Sequence, residues 1–498
     1  MSQSGERSVV VVGAGLGGIS AALSLVAAGY RVDVFEKNDH VGGKLNVLEK
    51  EGFSFDLGPS ILTLPQYFER LFEGHGRRMA DYVELRALSP HWRNFFEDGT
   101  RIDLFADPAE TVRRNACLAH ADRSDLERFA AYSRRLYDAS APPYFERGVD
   151  TAWGMAKSSG FVFAPRDFDL FHCMHAGVCR HVRNGYLRHI LSFFAKYVGS
   201  SPYDAPAVLN LLSHAQSEYG LWYVEGGLFK LALALKRLAD EVGVRLHLGT
   251  EVVGLVSDGD RVTAAELSDG SRVRGELFVC NMEVIPAYER LLHEPPRFLR
   301  KLSKFEPACS GLVLHLGVDR EYPQLGHHSF FFSGNPRKHF QDVFHRKVMP
   351  EDPTLYVVAP ARTDPTQAPP GCENIKVLPH IPHLQDRRFT RDEYMQLRER
   401  ALDKLERMGL EDLRRHIIVE DMWTPEDIES RYYSNRGAIY GVVSDRKLNK
   451  GFKVPKKSSK YANLYFVGGS VNPGGGMPMA VLSGQQVRDR IVARSPAG

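Results

Sequence analysis

The chain has 498 residues, 43% of them apolar and 25% charged, and a formal net charge of +3. A balance so near neutral excludes nucleic acid as the evident partner, and the length predicts two or three domains with a large buried core. No run reaches the roughly 18–20 apolar residues that a membrane-spanning helix needs.

The opening, "MSQSGERSVV", lacks the basic-then-apolar pattern of a signal peptide. The six cysteines, Cys117, Cys173, Cys179, Cys280, Cys309 and Cys372, are scattered, as in a reduced compartment. These features predict an intracellular protein that does not span a membrane.

The first element is "SVVVVGAGLGG": a buried parallel strand from Ser8 to Val12, then Gly13-Ala14-Gly15-Leu16-Gly17-Gly18, then a helix to about Ala28. In a G-x-G-x-x-G loop the first glycine permits a tight turn and the second lets the backbone approach a pyrophosphate. The third lets helix and strand pack closely, with the phosphates on the helix N-terminus. "YRVDVFEK" is the next strand; it ends on Glu36, followed by Lys37, with Glu36 placed to hydrogen-bond ribose hydroxyls. The pattern predicts a dinucleotide without saying which one.

Further along, "FHCMHAGVCRH" (171–181) gathers His172, Cys173, His175, Cys179 and His181. No second ligand cluster accompanies it, and on a helix the five side chains point to different faces, so no metal site is expected. Residues 161–198 combine aromatics, four histidines and five Lys/Arg against two Asp. They read either as ordinary core helices or as a patch lying in one leaflet of a membrane.

Residues 220–255 predict strand, Gly226-Gly227 turn, amphipathic helix and strand, the helix having apolar positions at 228, 229, 231, 233, 235 and 238. The stretch 445–460 carries seven Lys/Arg and one acid: a solvated loop or a contact with anionic headgroups. Last comes a second glycine-rich turn, "GGSVNPGGGMPM" from Gly468, again between an apolar strand and a helix.

Gly42-Gly43-Lys44 and the "FDLGPS" stretch ending in Gly58-Pro59-Ser60 give the chain a resemblance to the large FAD-containing family that includes amine oxidases, protoporphyrinogen oxidase and phytoene desaturases. The resemblance implies Gly42, Gly43 and Lys44 beside the pyrophosphate, Gly58, Pro59 and Ser60 near the flavin, and the Val252 backbone at the adenine. It also implies that the chain returns to its first domain through a strand at about Leu464 to Val467. Gly468 and Gly469 then lie near the ring system, and the helix starting at Gly476, Met477, Pro478 and Met479 points its positive end at the flavin pyrimidine. The two glycine loops thus hold opposite ends of one FAD.

Two departures from the family pattern stand out. Gly469 replaces a common Asp, and no cysteine follows Cys372, which implies noncovalent FAD. Lys44 stands where Arg is commoner and keeps the charge without the bidentate fork.

The fold implied is α/β: a Rossmann-like FAD-binding domain from residues 1–75, 216–285 and 441–498, and a mixed-sheet substrate domain from 76–215 and 286–440. The first substrate segment is helical and open to a membrane contact. The pieces at 220–255, 363–371 and "NPGGGMPM" are similar to bacterial carotenoid desaturases, and the ending with 325–340 is closer to enzymes that oxidise terminal methyl groups of thirty-carbon diapocarotenoids. Desaturation remains the alternative reaction, with oxygen or a membrane quinone as electron acceptor. An amine oxidase or a flavin-free prenyl-lipid carrier are more distant alternatives. No catalytic residue is assigned; His214, Glu225, His327 and His328 are eligible by chemistry alone.

Overall fold

The computed structural model describes residues 7–159 and 168–494; residues 161–167 of the patch singled out above lie outside the described residues. Ser8–Val12 is the central strand of a five-stranded parallel sheet, flanked by Arg31–Phe35 and Leu277–Cys280, with Arg245–His247 and Leu464–Phe466 at the edges. A parallel strand covered on both faces can be continuously apolar, which is why four successive valines suit this place. Because every pairing is parallel, the carboxyl ends of Ser8–Val12 and Leu464–Phe466 lie along one edge. Both glycine loops leave from that edge, where open α/β sheets bind ligands.

The helices after the two loops, Leu16–Ala27 and Met477–Val492, pack against each other. Their approach is close because Gly484 lacks a side chain: a Cβ there would lie 2.5 Å from the Ala21 nitrogen and 2.7 Å from the Gly17 oxygen. The Ser20 hydroxyl donates to the Val481 carbonyl at 2.5 Å across the same seam.

A second, mixed sheet runs in the order Ile417–Trp423, Val313–Val318, Glu373–Ile381, Leu355–Val358, His328–Phe331, Trp92–Phe95 and Arg101–Leu104. Only His328–Phe331 and Trp92–Phe95 pair in parallel along this path. The two-residue alternation of strands sorts its faces. Leu314, Leu316, Phe331, Leu355, Val357, Ile375 and Val377 pack with Tyr394, Leu397, Leu402 and Leu405 of helix Arg391–Arg407. Val313, Phe330, Tyr356, Leu378 and Trp423 face the main core. Helices His120–Ser140, Gly185–Ser192 and Leu211–Tyr219 also contribute to that core; Asn184 caps the second by accepting from the Tyr186 and Leu187 amides at 3.0 and 3.3 Å.

The 220–255 segment forms strand Trp222–Val224, helix Phe229–Glu241 and strands Arg245–His247 and Val252–Asp258. The buried helix face is Leu231, Ala232, Ala234, Leu235, Leu238 and Ala239, and Leu233 is exposed. The apolar set expected from sequence is thus corrected at 233: two residues beyond Leu231 is about 200° around a helix, so Leu233 turns away while the alanines complete the seam. Asp364 of the 363–371 stretch accepts from the Gly226 amide at 2.9 Å and the Tyr223 hydroxyl at 3.0 Å. Asp56 accepts from the Leu228 amide at 3.2 Å. Two carboxylates from distant segments therefore hold the Gly226-Gly227 turn.

Candidate active site

A cavity of about 720 Å³ runs from the glycine loops across the second sheet. At its glycine-loop end the backbone is crowded in ways only glycine permits. A Cβ on Gly15 would lie 2.4 Å from the Asn281 amide nitrogen, and one on Gly17 would lie 2.7 Å from the Gly468 nitrogen. Gly42 has φ +102°, and Gly43 brings its backbone against Gly15. Asn281, immediately after strand Leu277–Cys280, is the wedge between the two loops: its amide donates to the Val12 carbonyl at 2.8 Å, and Gly13, Gly15, Gly17 and Gly468 all close on its side chain.

Glu36 is buried at the end of its strand. It accepts from the Ala14 amide at 2.7 Å and from the Asn38 backbone and side-chain nitrogens at 3.0 and 2.7 Å. These bonds fix the carboxylate at the cavity wall as a rigid acceptor. Lys37 extends to the Ser430 carbonyl at 3.2 Å and lies over the Tyr433 ring at 4.0 Å. Lys44 donates to the Ala438 carbonyl at 3.1 Å and pairs with Glu283 at 3.4 Å. Burial raises the Glu283 carboxyl, with Lys44 opposing.

The carboxyl-terminal loop is held from behind. A Cβ on Gly475 would lie 2.5 Å from the Tyr440 carbonyl, and one on Gly441 would lie 2.4 Å from the Gly469 carbonyl. The Asn472 side chain accepts from the Lys453 amide and the Tyr144 hydroxyl, both at 2.9 Å. Gly476, Met477, Pro478, Met479 and Ala480 then present the start of helix Met477–Val492 to the cavity. The uncapped amides of that end favour negative charge.

Beyond the loops the cavity meets the inner face of the second sheet. Strand register places Trp423, Val313, Leu378, Tyr356 and Phe330 side by side in one row. Tyr356 stacks on Phe330 with centroids 4.9 Å apart, and Trp92 follows 4.9 Å from Phe330. The adjoining row is polar: Asp421, His315, Lys376, Val358 and His328. There the Lys376 ammonium donates to the Asp56 and Gly58 carbonyls at 2.8 and 2.7 Å, clamping the "FDLGPS" turn. Burial lowers Lys376 to about 8, against the pull of Asp56.

The cradle residues singled out in the sequence come together. Gly13, Gly15, Leu16, Gly17, Glu36, Lys37, Gly42, Gly43, Lys44, Gly58, Pro59, Ser60, Val252, Gly468, Gly469 and the helix start line the cavity. Ala14 and Gly18 lie behind it: the Ala14 amide is spent on Glu36, and a Cβ on Gly18 would lie 2.0 Å from the Gly13 oxygen.

His214, Glu225, His327 and His328 are not on the lining. His327 bonds the Thr363 hydroxyl at 2.8 Å, His328 bonds the Tyr356 hydroxyl at 2.9 Å, and Glu225 pairs with Arg86 at 2.7 Å. Burial lowers His327 to about 3. The 172–181 histidines and cysteines are engaged separately: His172 with Asp169, His175 with Ser192 and Cys179, and His181 stacked on Tyr132. Sequence reasoning missed Asn281, Glu283, Tyr440, Lys376 and Lys196. For Asn281, Glu283 and Lys376 the available signal was a polar residue inside or just after an otherwise apolar strand.

Glycine loops at the carboxyl edge of a parallel sheet, opening onto a row of rings and aliphatic side chains, suit a dinucleotide-dependent oxidoreductase. The sequence profile of the flavin containing amine oxidoreductases matches residues 16–492, and the chain belongs to that family. It is 55% identical over 495 residues to a 4,4'-diapolycopene oxygenase of Methylomonas sp, with 99% of each chain covered. It is 54% identical over 489 residues to a 4,4'-diaponeurosporene oxygenase of Staphylococcus aureus (strain USA300), with 98% of each covered. Its fold is similar to that of a putrescine oxidase bound to putrescine, with a TM-score of 0.65, 15% identity, and 98% and 99% of the two chains covered. The cofactor is FAD, and the side-chain-free loops, the fixed Glu36 carboxylate and the helix start fit such a dinucleotide.

Proposed function

We propose that the chain is an FAD-dependent carotenoid oxidoreductase that oxidises terminal methyl groups of a thirty-carbon diapocarotenoid. The observation that carries this reading is similarity at 54–55% identity over essentially the whole chain to proteins named as diapocarotenoid oxygenases. The cavity agrees chemically: beyond the cradle it offers a row of rings and aliphatic side chains suited to a conjugated hydrocarbon. In this reading the FAD domain comprises 1–75, 216–285 and 441–498. The pyrophosphate lies on Gly13–Gly18 with Gly42, Gly43 and Lys44, the ribose on Glu36, the adenine at Val252, and the ring between Gly58–Ser60 and Gly468–Met479. The chain has no cysteine after Cys372, consistent with noncovalent attachment.

When bound, FAD supplies a two-electron acceptor for hydride. The chain's own residues do the rest. The floor would hold the polyene beside the bound cofactor and exclude water along its length. Tyr356 and Trp423, the rings of this row that line the cavity, would lie along the conjugated chain. Water would supply the oxygen atom by capturing the cation left after hydride loss and releasing a proton, and oxygen or a membrane quinone would take the two electrons.

The substrate is lipid-dissolved, and we place the cavity mouth at a membrane surface. Leu170, Arg446 and Lys450 line the cavity near that mouth; Phe171 is 75% exposed and Trp153 69% exposed, with Leu448 also exposed. The Arg446 guanidinium donates to the Phe171 carbonyl, joining the basic and aromatic parts. Such a rim suits peripheral contact with anionic headgroups. Among the described residues no helix is long and apolar enough to cross a membrane.

The test is to incubate FAD-loaded protein with 4,4'-diaponeurosporene and 4,4'-diapolycopene in liposomes and take mass spectra of the pigments. Oxygen gained at a chain end is expected. Loss of hydrogen pairs alone would replace this reading with desaturation.

A further inference from the structure

Lys196 lies in the turn Phe193–Val198 that follows helix Gly185–Ser192. Its side chain is buried and lines the cavity, and among the described residues it has neither a carboxylate nor a hydrogen-bond partner. Four rings surround its nitrogen: Tyr356 at 4.3 Å to the centroid, Tyr197 and Phe330 at 4.6 Å, and Trp92 at 4.9 Å. Both hydroxyls of this cage are already used, while the Trp92 indole nitrogen has no hydrogen-bond partner. The Tyr197 hydroxyl donates to Gln216 at 2.5 Å, and the Tyr356 hydroxyl bonds His328 at 2.9 Å.

A lysine in such a place is costly to the fold. Burying an amine without a partner opposes folding, and a methionine or leucine would fill the same space at no such cost. Burial also pushes Lys196 well below the ordinary lysine range, with no carboxylate to hold it up. The amine donates hydrogen bonds in either charge state, so it matches a hydroxyl or a carbonyl oxygen. A pure hydrocarbon offers it nothing; an oxygen atom at the chain end does.

We propose that Lys196 is the receptor for the oxygen of an already oxidised polyene end, so that the cavity holds oxygenated chains in preference to the hydrocarbon. This rests on the function proposed above. The inference adds a polar contact beside the aromatic row of the floor. It implies that the half-oxidised chain is retained rather than released between oxidation steps.

The experiment is a titration of the holoenzyme in detergent with 4,4'-diaponeurosporene and with its terminal aldehyde, reading the quenching of tryptophan fluorescence. The wild type should bind the aldehyde about tenfold tighter, the worth of one good hydrogen bond in a dry site. Lys196→Met should lose that preference while its hydrocarbon affinity stays within about twofold, and its melting temperature should equal or exceed the wild type's. Lys196→Gln, which keeps a donor, should retain part of the preference. The absorption band of the bound aldehyde should shift to the red in the wild type and not in Lys196→Met. Equal affinities for the two pigments in the wild type, or an unchanged preference in Lys196→Met, would overturn the role of Lys196 and leave the carotenoid reading standing. A wild type that binds neither pigment would overturn both.

Discussion

The glycine-loop end of the cavity and the sheet beneath its other end are built in opposite ways. At the glycine-loop end the shape comes from missing side chains: Gly15, Gly17, Gly468 and Gly475 each leave room that a Cβ would fill. At the sheet end it comes from side chains that are present, with Val313, Tyr356, Leu378 and Trp423 set on the cavity lining by strand register. A backbone cradle recognises a fixed ligand through its own N–H groups, whereas a side-chain floor can be recut for each substrate. This is how 15% identity to a putrescine oxidase coexists with a shared fold.

Substitutions on the two sides should separate flavin loading from turnover. The largest effect is expected at the seam between the loops. Gly17→Val would drive a Cβ to 2.6 Å from the Asn281 side-chain oxygen and 2.7 Å from the Gly468 nitrogen; FAD content should fall below about a tenth, with about 3 kcal/mol of stability lost. Absorbance of the purified flavoprotein and a denaturant titration check this.

Next comes the floor. Tyr356→Ala removes the ring stacked on Phe330 and the hydroxyl that bonds His328, whose other ring nitrogen has no partner. Turnover of the polyene should drop about a hundredfold and stability by about 3 kcal/mol, with FAD content unchanged.

A smaller effect belongs to pH. Glu373 sits at the start of the strand Glu373–Ile381; one oxygen accepts from the Tyr322 amide at 2.7 Å and the other has no hydrogen-bond partner. Burial pushes it up to about 7. A carboxyl raised in the folded state stabilises fully below its unfolded value and loses that contribution as pH rises through the folded one. Glu373→Gln should therefore match the wild type near pH 4 and exceed it by about 2 kcal/mol near pH 8, the difference opening between about pH 5 and 7. Thermal melts across that range read it out. The smallest effect is expected at Lys37→Met, where an exposed contact to Ser430 is lost; FAD affinity should weaken no more than about threefold.

The same contrast explains what could be read from the sequence. The strand Ser8–Val12, the helix starts at Leu16 and Met477 and the glycine loops were legible because their chemistry is local: an apolar run, a glycine where φ is positive, a helix directly after. Asn281 was not, since its role exists only when strands more than 180 residues apart converge on it. Lys376 and Lys196 were hidden for another reason. Lys376 belongs to a strand buried throughout, where alternation no longer marks one face as wet, and Lys196 sits in a short turn whose surroundings come from three other strands.

The measurement that bears most directly on this division is the flavin stoichiometry of Gly17→Val and Tyr356→Ala purified side by side with the wild type. The account predicts one FAD per chain in the wild type and in Tyr356→Ala, and almost none in Gly17→Val. Equal loss of flavin from both variants would contradict it, since the cradle and the floor would then be a single binding surface.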